Sequence, residues 1–243
     1  MQIKINYSLI IPAYNEIGNL PNLIKKCDLL IKQKPNLEVI IVNNGSTDGT
    51  MSYLSKELSS NTSLRSINIK KNLGYGWGVL SGLKQAKGDV LGWSHADLQT
   101  DLSDFIKAIN IYEKLSIKDD IYLKGKRINR PIKDKLFTIG MTLFEYILLG
   151  VWMEEINAQP NLFHKNFLSQ WEDPPKDFSL DLYVFYKAKQ LKMKFIKFEV
   201  NFDKRTSGLG SNETLIQKIK YSLDTIKFSL KLKSELISGR KRS

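Results

Sequence analysis

Short apolar runs recur through the first half of the chain. Each is followed by a polar, turn-rich stretch and then by apolar positions three or four apart. Residues 8–12, 38–42, 64–69 and 89–93 are such runs and read as strands. Val39, Ile40, Ile41 and Val42 are continuously apolar, the pattern of a parallel strand covered on both faces. Leu20, Leu23, Ile24, Cys27 and Leu30 fall on one face of a helix opened by Asn19 and Pro21. Further helices are expected over 51–58, from the glycine-rich segment 72–78 to residue 86, and over 102–115. Strands alternating with helices four times predict an α/β fold with a mostly parallel, doubly wound sheet.

The second half changes character. A strand from Ile121 runs into a basic loop holding Arg127 and Arg130. Residues 136–153 are rich in large apolar side chains and approach the length of a membrane span. Gly140, Glu145 and Gly150 interrupt them, which favours an amphipathic helix, buried or lying on a membrane, over a transmembrane one. A loop and short strand at 157–163, a helix from Phe178 to Gln190 and a strand over 195–202 follow. A basic loop over 204–211 and a lysine-studded helix over 215–237 complete the chain, with no repeat and no linker.

Charge narrows the partners. A formal net charge of +12 points to anionic ones: phosphate-bearing small molecules, an acidic membrane surface or nucleic acid. The single cysteine, Cys27, excludes an internal disulfide framework, and two histidines argue against a histidine-rich zinc site. The N-terminus runs straight into a strand, so no signal peptide is expected and a cytoplasmic location is the default.

The densest polar cluster is His95-Ala96-Asp97-Leu98-Gln99-Thr100-Asp101, directly after a buried strand. In open α/β sheets ligands bind where strands end. Asp97 and Gln99 offer the hard oxygens that Mg²⁺ or Mn²⁺ prefers, and such an ion grips a diphosphate. The competing reading is a polar loop in which an Asp or Thr caps the next helix. The glycines of 72–78 suit close backbone approach or tight helix packing and are not a dinucleotide fingerprint.

Taken in order, five segments resemble the family 2 glycosyltransferases of GT-A fold, nearest to the dolichol- or polyprenyl-phosphate sugar synthases. They are Pro12-Ala13-Tyr14-Asn15-Glu16; residues 42–50, Val-Asn-Asn-Gly-Ser-Thr-Asp-Gly-Thr; residues 72–82 with Ala86-Lys87-Gly88-Asp89; His95-Ala96-Asp97-Leu98-Gln99; and residues 178–200 with Arg205 and Ser211. The likeness covers residues 7–212; each motif alone is weak or moderate, and the ordered set is strong. It implies one Rossmann-like domain over 1–243, a mostly parallel sheet with helices on both faces. Residues 1–118 would form the nucleotide-sugar half, 119–212 the acceptor half and 213–243 a basic C-terminal helix.

The resemblance also implies roles. Pro12, Tyr14, Asn15 and Glu16 would line the base and ribose, with Asn44 and Asp97 completing the nucleotide-sugar site. Asn44 stands where the family usually has an aspartate that accepts from the base. Asparagine both accepts and donates, which leaves the base open. Asp48 is expected to cap a helix. The family's metal motif keeps Asp97 and Gln99 here, while its first aspartate is His95. That histidine ligates a metal, bonds a phosphate, marks weakened metal dependence or is a plain loop residue. Arg127, Arg130 and Arg205 would neutralise a diphosphate or an anionic acceptor, or are solvated surface charges. Asp181 stands nearest the position of the acceptor's base, with a helix N-cap as the alternative.

The implied activity is inverting transfer of a sugar from a nucleotide-diphosphate sugar, with Mg²⁺ or Mn²⁺. The acceptor is a polyprenyl phosphate at the membrane surface or, alternatively, a saccharide hydroxyl in cell-surface polysaccharide synthesis. Peripheral attachment to the inner face of the membrane is compatible with the cytoplasmic default. The rival from another class is a catalytically weakened membrane- or nucleic-acid-binding protein on the same fold. No nucleic-acid motif supports it.

Overall fold

A computed structural model describes residues 4–58, 63–116, 119–130, 132–202 and 215–240. In chain order the elements are β1 (Tyr7–Ala13), α1 (Leu20–Gln33), β2 (Leu37–Asn44), α2 (Thr50–Glu57), β3 (Leu64–Ile69), α3 (Tyr75–Gln85), β4 (Val90–Trp93), α4 (Ser103–Glu113) and β5 (Ile121–Ile128). Then come α5 (Ile132–Leu149), β6 (Asn161–His164), a 3₁₀ turn (Lys165–Gln170), α6 (Leu180–Gln190), β7 (Lys194–Asn201) and α7 (Leu215–Arg240). The seven strands lie in the order β3-β2-β1-β4-β6-β5-β7.

The expected α/β sheet with helices on both faces is present. Side chains alternate along each strand, so one face takes Leu9, Ile11, Val39 and Ile41 against α1, α2 and α4. The other takes Ile10, Ile40, Val42, Trp93 and Tyr122 against α3 and α6. Leu20, Leu23, Cys27 and Leu30 form the buried stripe of α1. Every strand pair is parallel except those of β6, which runs antiparallel to β4 and β5. The chain leaves β1 for β2 and β3 on one side, then returns to lay β4 on the other. The switch point of the sheet therefore lies between β1 and β4.

The apolar segment differs from its sequence reading. Its helix starts at Ile132 and ends at Leu149. Gly150, at φ +71°, donates its N–H to the Tyr146 carbonyl at 2.8 Å, a left-handed helix stop that leaves Val151–Met153 outside. Thr142, Glu145 and Leu149 face inward, while Ile132, Leu136, Ile139, Leu143, Tyr146 and Ile147 face out. No helix among the described residues is long and apolar enough to cross a membrane.

Candidate active site at the strand ends

Six strands end along one edge, and β6, running the other way, begins there with Asn161. The loops after β1 and β2 lock together at this edge. Asn15, at φ +56°, donates its N–H to Ser46 Oγ at 3.0 Å, and its Oδ1 accepts from Thr47 N–H at 2.8 Å. Asp48 accepts from the N–H groups of Thr50 (2.9 Å) and Ile17 (3.2 Å). Burial works to raise its carboxyl, but these bonds outweigh that and hold it below the usual range. Asp48 thus holds the turn that leads into α2, one residue before the Gly49 N-cap position where it was expected to act, and also pins the first loop. The Asn15 amide bonds Thr47, which ties the two loops together at the place where the resemblance sets the nucleotide. Glu16 is buried and accepts from Asn19 Nδ2 at 2.6 Å, while Tyr14 stands exposed at the rim.

Asn44, at the end of β2, is buried. Its Nδ2 donates to the Gly74 carbonyl at 2.8 Å and faces Asn72 Oδ1 at 3.4 Å. That fixes the amide's orientation and leaves Oδ1 without a partner among the described residues. Close backbone approach accounts for Gly76 in the lead into α3, and tight helix packing for Gly82 farther along the helix. At Gly76 a Cβ would lie 2.6 Å from the Pro175 carbonyl oxygen, and at Gly82 one would lie 2.4 Å from the Ile10 side chain. The first lets the loop before α6 cross the start of α3, and the second seats α3 on the sheet.

The segment after β4 enters the edge beside the switch point. Ser94 N–H reaches the Ile10 carbonyl at 3.0 Å, tying the loop root to β1. Leu98 is left-handed, at φ +59°, a conformation costly for a branched side chain and found mostly where a site demands it. It folds Gln99 back so that its N–H reaches Asp97 Oδ1 at 3.1 Å. Asp101 holds the turn into α4, its Oδ1 accepting from Ser103 N–H at 3.0 Å, one residue before the Leu102 N-cap position. The His95 ring leans on Tyr75, centroids 5.7 Å apart, and Tyr75 stacks on Phe178 at 5.1 Å.

Behind this loop lies a buried polar network that sequence reasoning missed. Asp181 is 2% exposed, on the second residue of α6, with Ser179 at the N-cap position; the N-cap reading of Asp181 is therefore wrong. Its Oδ1 accepts from Trp93 Nε1 (3.2 Å), Gln159 Nε2 (3.0 Å) and Asn161 Nδ2 (3.3 Å). Lys124 is fully buried and donates to the Ala158 carbonyl and to Asn161 Oδ1, both at 2.9 Å. Burial pulls its ammonium down to about 7, with Asp181 opposing. Burial, then the charge of Asp181, pushes the Tyr75 and Tyr122 phenols well above their usual value. The only sequence signal was a lysine inside the apolar run 121–125.

Arg127 stands within β5 rather than in the loop after it, and both it and Arg130 are less available than the sequence suggested. Arg127 Nε meets Glu155 Oε2 at 2.6 Å, and Arg130 Nη1 meets Oε1 of the same carboxylate at 2.9 Å. Two cations share the Glu155 carboxylate, and the charge of Asp134 also acts on Arg130. Arg205 and Ser211 lie outside the described residues.

The sequence pattern of Glycosyl transferase family 2 matches residues 8–149. The chain belongs to this family. A dolichol-phosphate mannosyltransferase of Pyrococcus furiosus is 27% identical over 219 residues, 88% of this chain and 62% of that protein. A dolichyl-phosphate β-glucosyltransferase of Drosophila melanogaster is 35% identical over 171 residues, 64% of this chain and 51% of that one. The chain thus spans less than two thirds of these relatives. Among solved structures, glucosyl-3-phosphoglycerate synthase of Mycobacterium tuberculosis with Mn²⁺ and UDP superposes at a TM-score of 0.72 and 14% identity, covering 94% of this chain and 79% of that one. A mannosyltransferase of Pyrobaculum calidifontis with GDP-mannose and Mn²⁺ superposes at 0.65 and 17% identity, covering 94% and 65%. The family 2 chain therefore has the GT-A fold of these transferases.

Proposed function

We propose that this family 2 chain transfers a sugar from a nucleotide-diphosphate sugar to a polyprenyl phosphate, with inversion at the anomeric carbon. The observation that carries the reading is the Asp97 turn: a carboxylate held by a strained backbone, just beyond the central strand and beside the switch point of the sheet. The curated relatives named above act on dolichol phosphate by their names, which supports the lipid acceptor.

In this reading the base and ribose lie against Tyr14, Pro12 and Glu16. The unpartnered Asn44 Oδ1 is an acceptor for an N–H of the base once the rim side chains yield. The diphosphate lies toward Asp97. An oxygen of the acceptor phosphate attacks the anomeric carbon as the bond to the nucleotide diphosphate breaks on the opposite face. Arg127 and Arg130, once drawn from Glu155, would favour the anionic acceptor. Asp181 is too deeply enclosed to receive a proton from an incoming hydroxyl. A phosphate needs no such base, so this observation favours the lipid phosphate over a saccharide hydroxyl.

The donor set for a metal is partial: one carboxylate at Asp97, the His95 imidazole and the Gln99 amide oxygen. No group of three or more His, Cys, Asp or Glu side chains among the described residues is arranged to hold an ion. Asp97, with His95 and Gln99 beside it in the chain, would hold a divalent cation only with part of its coordination supplied from outside the protein. Both structural neighbours carry Mn²⁺, and an imidazole suits Mn²⁺ better than Mg²⁺. When bound, such a cation would offset charge developing on the leaving diphosphate.

The outward face of α5 supports work at a membrane surface. Ile132 is 74% exposed, Leu136 63% and Ile147 73%, all on one side of the helix, and Lys227 and Lys231 of α7 are exposed. Lysines 218 and 220 have side chains outside those described. Thermal shift with a panel of nucleotide sugars, with and without Mn²⁺, tests the donor reading. One nucleotide class should raise the midpoint in a metal-dependent way. No shift with any of them would contradict it.

A further inference from the structure

We propose that Lys124 is a positioning residue for sugar transfer: through the amide of Asn161 it holds the buried carboxylate of Asp181, and with it Trp93 at the root of the Asp97 turn. The inference rests on the reading of this edge as the transfer site.

Sheet register brings the parts together. Trp93 on β4 pairs with Asn161 on β6, and Asn161 pairs with Lys124 on β5, so the three stand in one row across the sheet. Their side chains share the face covered by α6. Asn161 Oδ1 accepts from Lys124 Nζ and from Tyr122 Oη, each at 2.9 Å. Asn161 Nδ2 donates to Gln159 Oε1 at 2.6 Å and to Asp181 Oδ1 at 3.3 Å. The amide can be built only one way round. Reversed, it would set N–H groups against an ammonium and oxygen against a carboxylate. The lysine and the aspartate never touch, yet the dipole of Asn161 joins them, positive end toward Asp181 and negative end toward Lys124.

Neither charge has water to fall back on, so each depends on the other for compensation. Asp181 in turn accepts from Trp93, two residues before His95. Without the lysine, Asn161 Oδ1 keeps Tyr122 but loses its cationic donor, Asp181 loses its counter-charge, and the acceptor that Trp93 uses is held less firmly. The other ionisable groups facing the pair are Tyr75 from α3, Tyr122 and Arg127 on β5, Glu155 before β6, and Lys197 on β7. Lys124 changes charge near neutrality, so the device is complete below neutral pH and loses its cation above it.

The test combines transfer kinetics with a stability cycle over Lys124→Met, Asp181→Asn and the double variant. Wild-type kcat should fall as pH rises through neutrality. Lys124→Met should lower kcat by at least about tenfold below neutrality, erase that fall and leave the donor KM nearly unchanged. Lys124→Arg, which keeps a cation, should restore part of the loss. In urea unfolding the double variant should be more stable than the sum of the single losses. Additive losses, or a Lys124→Met enzyme with wild-type kcat and pH profile, would overturn the role of Lys124. If Lys124→Met alone fails to fold, a folded double variant still supports the coupling, and a double variant that also fails counts against it. Absence of transfer by the wild type with every donor overturns the underlying reading instead.

Discussion

Asn44 gives its amide hydrogens to the carbonyl of Gly74, 2.8 Å away, and its oxygen to nothing among the described residues. The asparagine that departs from the family's usual aspartate is thereby a structural donor as well as an acceptor. Asn44→Asp should put two acceptor oxygens face to face and cost about 1–3 kcal/mol of stability, read by urea unfolding. An unchanged unfolding midpoint would mean that the contact with Gly74 contributes nothing.

His95 takes the place of a carboxylate in the metal motif, and its ring leans on Tyr75. His95→Asp should keep or raise turnover with Mg²⁺, because it adds a hard oxygen to a site that otherwise offers one carboxylate. Steady-state rates with Mg²⁺ and with Mn²⁺ check this. A folded variant that is dead with both ions would give the imidazole a duty that a carboxylate cannot perform.

Glu145 on α5 is sealed against α7. Ser229 Oγ lies 2.8 Å from Glu145 Oε1 and 2.9 Å from the Thr225 carbonyl, and one hydroxyl has one hydrogen. The second contact is satisfied when Glu145 itself carries a proton. Burial raises its carboxyl from 4.5 to about 7, with the Ser229 bond working the other way. A folded value above the unfolded one means the folded chain holds the extra proton between those limits. Stability should therefore fall as pH rises from 4.5 to about 7 and level off beyond, by up to about 3 kcal/mol. Glu145→Gln should flatten that slope and be the more stable form under alkaline conditions. Parallel pH–stability curves for the two proteins would disprove it.

The α5 stripe should bind lipid without spanning it. Wild type should sediment with anionic vesicles and be released as salt rises. Leu136→Glu with Ile147→Glu, both at exposed positions, should abolish sedimentation while leaving thermal stability unchanged. Protein that stays in the supernatant with anionic vesicles at low salt would remove the membrane reading and move the acceptor toward a soluble saccharide.

Local patterns carried the first half of the fold because its four strands run parallel to one another and β2 is buried along its whole length, as the run Val39–Ile40–Ile41–Val42 displays; β3, at the edge, is only partly covered. β6 was harder to read: Gln159, Pro160 and Asn161 are polar or turn-forming, and its reversed direction follows only from pairing with β4 and β5. The outer loops were legible as motifs, but the partners of their residues were not. Arg127 and Arg130 looked free until Glu155 came beside them, and Asp181 looked like an acceptor's base or a cap until α6 turned it onto the sheet. Lys124, Asn161 and Trp93 are far apart in the chain and meet through register alone, which no local pattern encodes.

The central claim is sugar transfer to a lipid phosphate at the Asp97 turn. The most direct measurement is label from a nucleotide sugar appearing in the organic phase of vesicles that contain polyprenyl phosphate, with divalent cation present. Label should appear for one nucleotide class with the wild-type chain and vanish with a folded Asp97→Ala variant. Label that never enters the lipid with any donor, or enters equally with Asp97→Ala, would contradict the account.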